Sequence, residues 1–173
     1  LLKSQGYEVI GIHFIFYAAS GSYQLVQEEL DELAQSIDIK IHLIDVRDTF
    51  SDTIIKPFIQ QYLSGSTPFP CALCNKTLKW PLLFEHAENL GCTYVATGHY
   101  ARIVEQNGSS YIQAATDKDK DQSFFLWSIK KEWMSRILFP LGEMNKPDVR
   151  EFLSQSGQKK LSIKKDSLGV CFA

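Results

Sequence analysis

Two short cysteine-bearing stretches hold the residues best suited to chemistry. The first is Thr67-Pro68-Phe69-Pro70-Cys71-Ala72-Leu73-Cys74-Asn75; the second, near the far end, is Gly169-Val170-Cys171-Phe172. Pro68 and Pro70 each fix φ and push the preceding residue into an extended conformation, a rigid setting for a thiol held at one angle. A CxxC pair admits three chemistries: a redox couple, half of a metal site, or one nucleophile with a neighbour. Cys74 falls where a helix is expected to begin, and Lys76 and Lys79 follow within its first turns. The positive helix end and nearby ammonium groups favour thiolate, so Cys74 is a nucleophile candidate expected to titrate below the free-thiol value of about 8.5. Zinc would need a second matched pair, and the chain holds no other CxxC and no HxxxH.

Gly98-His99-Tyr100 follows an apolar run that reads as a buried strand. Ligands of open parallel sheets sit at the carboxyl ends of strands, and a glycine there lets backbone approach a flat ligand. His99 is equally well read as a packed, hydrogen-bonded histidine. Lys118, Lys120, Lys130 and Lys131, and then Lys159, Lys160, Lys164 and Lys165, form basic clusters of the kind that phosphate contacts need; each lysine singly is better read as a solvated surface residue. Phe124, Phe125 and Trp127 could stack on bases, but their dense apolar context favours core packing. Cys92 opens a strand and reads as inert core.

The elements that must position these groups alternate. Residues 1–6, Leu-Leu-Lys-Ser-Gln-Gly, resemble a last helical turn ending on Gly6. Tyr7 to Tyr17 is an apolar, β-branched run suited to a central strand buried on both faces, followed by a small-residue loop from Ala18 to Tyr23. Leu25, Leu30, Leu33, Ala34 and Ile37 mark an amphipathic helix, and Ile39 to Val46 returns to strand. Asp48 to Leu63 is helical with a kink expected at Pro57, and Asn75 to Leu90 is helical with a break expected near Trp80, before Pro81. Cys92 to Thr97 is a short strand. Ala101–Val104 and Tyr111–Ala114, joined through Asn107-Gly108, predict a hairpin. Lys131 to Leu138 reads as helix, Pro147 as the first residue of another ending before Gly157, and Lys159 to Asp166 as loop or edge strand. The fold class expected is α/β, a parallel sheet with helices on both faces, with a small hairpin and a helical extension.

The totals agree. The chain has 173 residues, 45% of them hydrophobic and 22% charged, with net charge -2, so one domain with a sizeable core is expected and no global charge advertises nucleic acid. No apolar run is long enough to span a bilayer and no secretory pattern opens the chain, so a cytoplasmic setting without membrane partners is expected. Four cysteines in a core-rich chain read as thiol or metal chemistry rather than a disulfide scaffold.

Taken together, the motifs become specific. Thr67-Pro68-Phe69-Pro70 with Cys74-Asn75, Ala96-Thr97-Gly98-His99-Tyr100-Ala101-Arg102, Lys120-Asp121-Gln122-Ser123-Phe124-Phe125-Leu126, Leu138-Phe139-Pro140-Leu141-Gly142 with Lys146-Pro147 and Val149-Arg150, and Lys164-Lys165-Asp166-Ser167 with Gly169-Val170-Cys171-Phe172 occur in this order. The pattern resembles the tRNA-specific 2-thiouridylases over almost the whole chain. The resemblance implies an adenine-nucleotide alpha-hydrolase-like, Rossmann-like fold and a magnesium-dependent use of ATP to replace the 2-oxygen of the tRNA wobble uridine with sulfur. It implies that ATP adenylates that oxygen, that Cys171 bears a persulfide whose sulfur attacks C2, and that Cys74 is the partner thiol, closing a Cys74–Cys171 disulfide. Thiol–disulfide exchange requires such a thiolate attacker. The resemblance further places Gly98 against ATP and Phe14 beside the adenine. It assigns His99, Lys120, Asp121 and Gln122 to tRNA contacts, and Phe69, Pro70 and Cys71 to the surroundings of the flipped uridine. tRNA and a sulfur-donor protein, a persulfide carrier or a cysteine desulfurase, are the implied partners.

The chain departs from the family pattern in two ways. Cys71 stands where the family commonly has an acidic residue. Cys71, Cys74 and Cys171 could then hold three corners of an iron–sulfur cluster, a low-ranked alternative in place of no metal at all. The Ser-Gly-Gly-x-Asp-Ser pyrophosphate loop is expected just before Leu1 and is absent, as are the tRNA-binding and β-barrel portions expected beyond Ala173. The chain is therefore expected to be a single nucleotide-binding domain truncated at both ends and inactive alone. The competing readings are a non-catalytic metal or cluster module built on the same cysteines, and a different ATP-pyrophosphatase acting on a small molecule.

Overall fold

The computed structural model describes residues 1–17, 23–164 and 169–172. The chain divides into two compact units, Leu1–Pro70 with Cys171–Ala173, and Cys71–Val170. The expected loop over 18–22, and Lys165, Asp166 and Ser167 of the last motif, lie outside the described residues.

In the first unit, a short 3₁₀ turn, Lys3–Gln5, ends on Gly6 as expected. Strand β1 (Ile10–Ile15), helix α1 (Tyr23–Ile37) and strand β2 (Lys40–Asp45) form a β-α-β unit. The strands pair in parallel from Ile10 with Lys40 to Ile15 with Asp45. Among the described residues β1 pairs with β2 alone. Only Phe14 and Ile15 of β1 are buried and His13 is exposed, so the expectation of a strand buried on both faces holds at its carboxyl end and not before it. The apolar run reports strand propensity; two-sided burial needs neighbours that residues 10–13 lack here.

Helix α2 (Arg47–Phe50) runs through a π-helical stretch, Ser51–Ile55, into α3 (Lys56–Leu63). Pro57 explains the widening. Proline has no N–H to donate, and its ring crowds the carbonyl four residues back. Local π-geometry relieves that conflict without ending the helix. Thr53, at the crowded position, turns its hydroxyl back to the Thr49 carbonyl at 2.6 Å. The device recurs in the second unit. Helix α4 (Pro70–Cys74) passes through a π-helical stretch, Asn75–Lys79, into α5 (Trp80–Asn89), where Pro81 plays the same part. Thr77, again four residues before the proline, donates to the Leu73 carbonyl at 2.8 Å. The kink expected at Pro57 and the break expected near Trp80 are thus π-turns inside continuous helical runs.

The core of the second unit is Trp80, Phe84, Ala87, Val95, Ala101, Leu126, Ile129 and Ile137, with Cys92 and Trp133 packed against it. Strand β3 (Val95–Ala96) leads to the hairpin β4 (Ala101–Gln106) and β5 (Ser109–Ala114). Asn107 and Gly108 take φ of 51° and 71° between the strands, the positive values that a tight two-residue turn requires. Two 3₁₀ segments follow, Ser123–Leu126 and Lys131–Arg136, and then strand β6 (Ile137–Leu138), helix α6 (Lys146–Gln155) and helix α7 (Lys159–Ser162).

Two sequence expectations are corrected here. Residues 131–138 are not one helix: the 3₁₀ segment stops at Arg136, and Ile137–Leu138 pair in parallel with Val95–Ala96. The Arg136 guanidinium fixes the crossover by donating to the Thr93 and Cys92 carbonyls at 2.8 and 2.9 Å and pairing with Glu88. Residues 159–162 are helical rather than loop or edge strand, because Arg150 of α6 holds the carbonyls of Ser162 and Lys164 at 2.9 and 3.1 Å. Helix α6 starts as predicted, with Pro147 in its first turn and reciprocal Asn145–Asp148 capping. Parallel strand pairs joined through helices make this an α/β chain. Its described strands form three two-stranded sheets, two parallel and one antiparallel.

Candidate functional site

The cysteine helix begins earlier than its sequence suggests. α4 opens on Pro70, so Cys71 lies in the first turn and Cys74 one turn inside. The expectation that Cys74 sits at the helix start is therefore corrected. Proline tolerates the first helical position because the N–H it lacks has no intrahelical partner there anyway. Cys71 and Cys74 are half-buried and Cys171 is exposed. Asn75, 4% exposed, donates from Nδ2 to the Cys71 carbonyl at 3.1 Å and to the Phe125 carbonyl at 3.3 Å. It ties the cysteine helix to the Gln122–Leu126 motif across a sequence gap of 50 residues. Sequence reasoning did not give Asn75 this role; a buried asparagine directly after the CxxC was the available signal.

The turn after β3 is built around His99. Its Nδ1 lies 2.7 Å from the Thr97 hydroxyl. Its ring stacks on Trp80 with centroids 6.2 Å apart and meets Phe139 edge-on at 6.2 Å. Burial, and secondarily the Lys79 ammonium, push its pKa down to about 3. His99 is thus a neutral, packed imidazole.

That state has a consequence for stability. An unfolded histidine takes up a proton near pH 6.5, whereas His99 in the folded chain resists doing so until about pH 3. Between these values the unfolded state holds more protons, so stability rises with pH and is lost as pH falls through the window. Urea unfolding at pH 7 and pH 5 should differ by about 2 kcal/mol from this residue alone, since one proton contributes up to about 1.4 kcal/mol per pH unit. His99→Asn should remove that increment; an unchanged pH slope in the variant contradicts the assignment.

Gly98 is exposed, with Leu141 Cδ1 at 3.7 Å from where a Cβ would stand, an ordinary contact. Among the described residues, packing therefore does not demand glycine there. Tyr100 is held on both sides by Gln122: its N–H donates to Gln122 Oε1 at 3.0 Å, and its carbonyl accepts from the Gln122 N–H at 2.8 Å. Asp121 accepts from the Ala115 N–H at 2.8 Å and the Ser123 hydroxyl at 2.8 Å. Burial alone would raise the Asp121 pKa, but these hydrogen bonds outweigh it and hold the carboxyl below its ordinary value. Asp121 and Gln122 thus shape the turn that carries half-buried Lys120.

Phe124 and Trp127 are 69% and 66% exposed, so the expectation of core packing is overturned for both. In a 3₁₀ segment residues three apart share a face. Leu126 turns inward and is fully buried, while Phe124 of the segment and Trp127, its C-cap, face outward.

In the first unit Phe14 is 9% exposed at the carboxyl end of β1 and meets Phe16 at 5.7 Å. Phe69 is 40% exposed and Pro70 is buried. Phe172 packs edge-on against Phe50 and Phe58 at 5.7 and 5.1 Å, leaving the neighbouring Cys171 exposed. Among the described residues no three or more His, Cys, Asp or Glu side chains gather as a metal site, and no helix is long and apolar enough to cross a membrane.

The whole chain, residues 1–173, matches the family described as tRNA methyl transferase HUP domain. It is 47% identical over 172 residues to tRNA-specific 2-thiouridylase MnmA 1 of Bacteroides fragilis, covering 99% of this chain and 47% of the relative. It is 46% identical to tRNA-specific 2-thiouridylase MnmA 2 of Phocaeicola vulgatus, with 99% and 49% covered. It is 40% identical over 182 residues to tRNA-specific 2-thiouridylase MnmA of Amoebophilus asiaticus, with 99% and 48% covered. The chain spans about half the length of the curated relatives it matches. With its parallel strand pairs, its glycine turn after β3 and a family match running from end to end, the chain belongs to the tRNA methyl transferase HUP domain family.

Proposed function

We propose that this chain is the ATP-using, sulfur-transferring part of a tRNA-uridine 2-sulfurtransferase. The observation that carries the reading is the likeness to 2-thiouridylases over 99% of the chain, at 40–47% identity. ATP, with magnesium, is attacked at its α-phosphorus by the 2-oxygen of the wobble uridine, which becomes an adenylate as pyrophosphate leaves. The outer sulfur of a Cys171 persulfide attacks C2, and AMP departs with the oxygen. Cys74 then attacks the inner sulfur of Cys171; that S–S bond breaks, the outer sulfur stays on C2, and a Cys74–Cys171 disulfide forms, to be reduced by an external thiol. A cysteine desulfurase or persulfide carrier reloads Cys171. The setting is cytoplasmic.

Gly98 is the proposed point where backbone meets the nucleotide, and Phe14 the ring beside adenine. Phe69, Pro70 and Cys71 surround the flipped base. Lys120 supplies charge to tRNA, with Asp121 and Gln122 shaping its turn. His99, being neutral, offers hydrogen bonding rather than a cation. An iron–sulfur cluster on Cys71, Cys74 and Cys171 is the alternative to this thiol chemistry.

The test is direct. The full-length protein is incubated with ATP, magnesium, a cysteine desulfurase with cysteine, and tRNA, and the nucleosides are separated by mass. Wobble 2-thiouridine with matching AMP release is expected; absence of both overturns the reading. Gly98→Ala separates ligand approach from folding. Its melting temperature should not fall, because Gly→Ala at a compatible position stabilises by about 0.4–1 kcal/mol. Its ATP affinity should weaken roughly tenfold, the cost of an added methyl group against a closely approaching ligand. Unchanged ATP affinity removes Gly98 from the site.

A further inference from the structure

We infer that Phe124 and Trp127, flanked by Lys76, form a stacking platform for unpaired bases of the RNA substrate; the inference rests on the reading above. Three observations carry it. Phe124, in the 3₁₀ segment, and Trp127, the helical-φ,ψ residue that caps its C-terminus three positions on, are among the most exposed large side chains, at 69% and 66%. The Lys76 ammonium stands 5.8 Å from the Trp127 ring centroid, so one base-sized patch offers a π face and a cation together. The charge around the patch is one-sided although the chain is not. Asp and Glu number 20 in the whole sequence, yet neither Cys71–Phe84 nor Gln122–Lys131 contains one. The charged residues of those two segments are Lys76, Lys79, Lys130 and Lys131. Lys130 lies over the Trp133 ring at 4.6 Å and pairs at 3.8 Å with Glu132. The carboxylates that bound the two segments are Glu85, Asp121 and Glu132, and Asp121 accepts from the Ala115 N–H and the Ser123 hydroxyl.

An exposed aromatic pair on segments whose charged residues are all lysines matches single-stranded nucleic acid, whose bases stack and whose phosphates repel acids. The platform is not loosely attached. Asn75 joins the Cys71 carbonyl to the Phe125 carbonyl, between the two aromatic positions. A base stacked on Trp127 is therefore registered against the helix that carries Cys71 and Cys74, which suits nucleotides next to the reacting uridine.

The experiment measures binding of a fluorescein-labelled anticodon stem-loop RNA to the full-length protein by anisotropy, over a salt series. Trp127→Ala should weaken binding by roughly five- to a hundred-fold, the range that one lost base stack produces. Trp127→Phe should retain most of the affinity, whereas Trp127→Leu, apolar but not aromatic, should not. Lys76→Gln should lower the slope of log affinity against log salt by about 0.7 if it meets one phosphate. Melting temperatures should stay within about 2 °C of wild type, since both side chains are exposed. Wild-type affinity in Trp127→Ala, or equal affinity in the leucine and phenylalanine variants, overturns the platform while wild-type thiolation leaves the proposed function standing. A wild-type protein that neither binds this RNA nor thiolates tRNA fails the function itself, and the platform with it.

Discussion

Cys171→Ser in the full-length protein is expected to abolish 2-thiouridine formation without lowering stability. The proposed chemistry needs an atom at position 171 that can carry a second sulfur and then leave as half of a disulfide. A serine oxygen does neither under these conditions, so the loss should reach at least about 10³-fold, the scale on which removing a covalent participant acts. The side chain at 171 is exposed, while its neighbour Phe172 packs on Phe50 and Phe58. Exposed substitutions of this kind usually stay within about 0.5 kcal/mol. The measurement is single-turnover thiolation read by nucleoside mass, beside a thermal melt. Thiolation surviving at wild-type rate ends the persulfide role. A melt that collapses points instead to a structural site, because removing a ligand from such a site unfolds the protein it organises.

Gly142→Ala is expected to be the most damaging single methyl group in the second unit. A Cβ built there would lie 2.1 Å from the Ala101 carbonyl oxygen and 2.9 Å from Arg102 Cγ. Real atoms do not approach so closely, so backbone must move. Neither side can do so cheaply. Gly142 donates to the Phe139 carbonyl at 3.0 Å and accepts from the Thr116 N–H at 2.9 Å, while Ala101 is fully buried and paired with Ala114 in the hairpin. Overpacking usually costs about 1–3 kcal/mol, and a clash with fixed backbone belongs at or above the upper end. At roughly 4–8 °C per kcal/mol for a unit of this size, melting should fall on the order of 10–20 °C. A melt within about 2 °C of wild type would show that this contact relaxes freely. Because Ala101 follows the Gly98–Tyr100 turn, ATP affinity should fall with stability here, in contrast to Gly98→Ala, where only affinity falls.

The elements that could be read in advance share one property: their signal is complete within a few residues. Helix α1 declares itself through leucines at helical spacing. The hairpin does so through Asn107-Gly108, which only a positive-φ turn uses economically. Helix α6 does so through Pro147, which stands in its first turn. The ordered motifs, with Cys74, Gly98 and Cys171 among them, were legible for the same reason, and they led to the family that the whole chain matches.

The misreadings fall where a partner distant in sequence decides. Whether Phe124 and Trp127 go inward depends on which face of a 3₁₀ segment meets Trp80, Phe84 and Ile137, and period alone could not choose. Ile137–Leu138 leave a helical pattern because Val95–Ala96 lie alongside to receive their hydrogen bonds. The protonation of His99, which the sequence left open, is decided the same way, by burial against Trp80 and Phe139. Residue types thus specified the local backbone and the reactive atoms this chain owns. Burial, protonation and exposure were settled only by folding, because each depends on the dielectric and the donors that non-neighbouring segments bring.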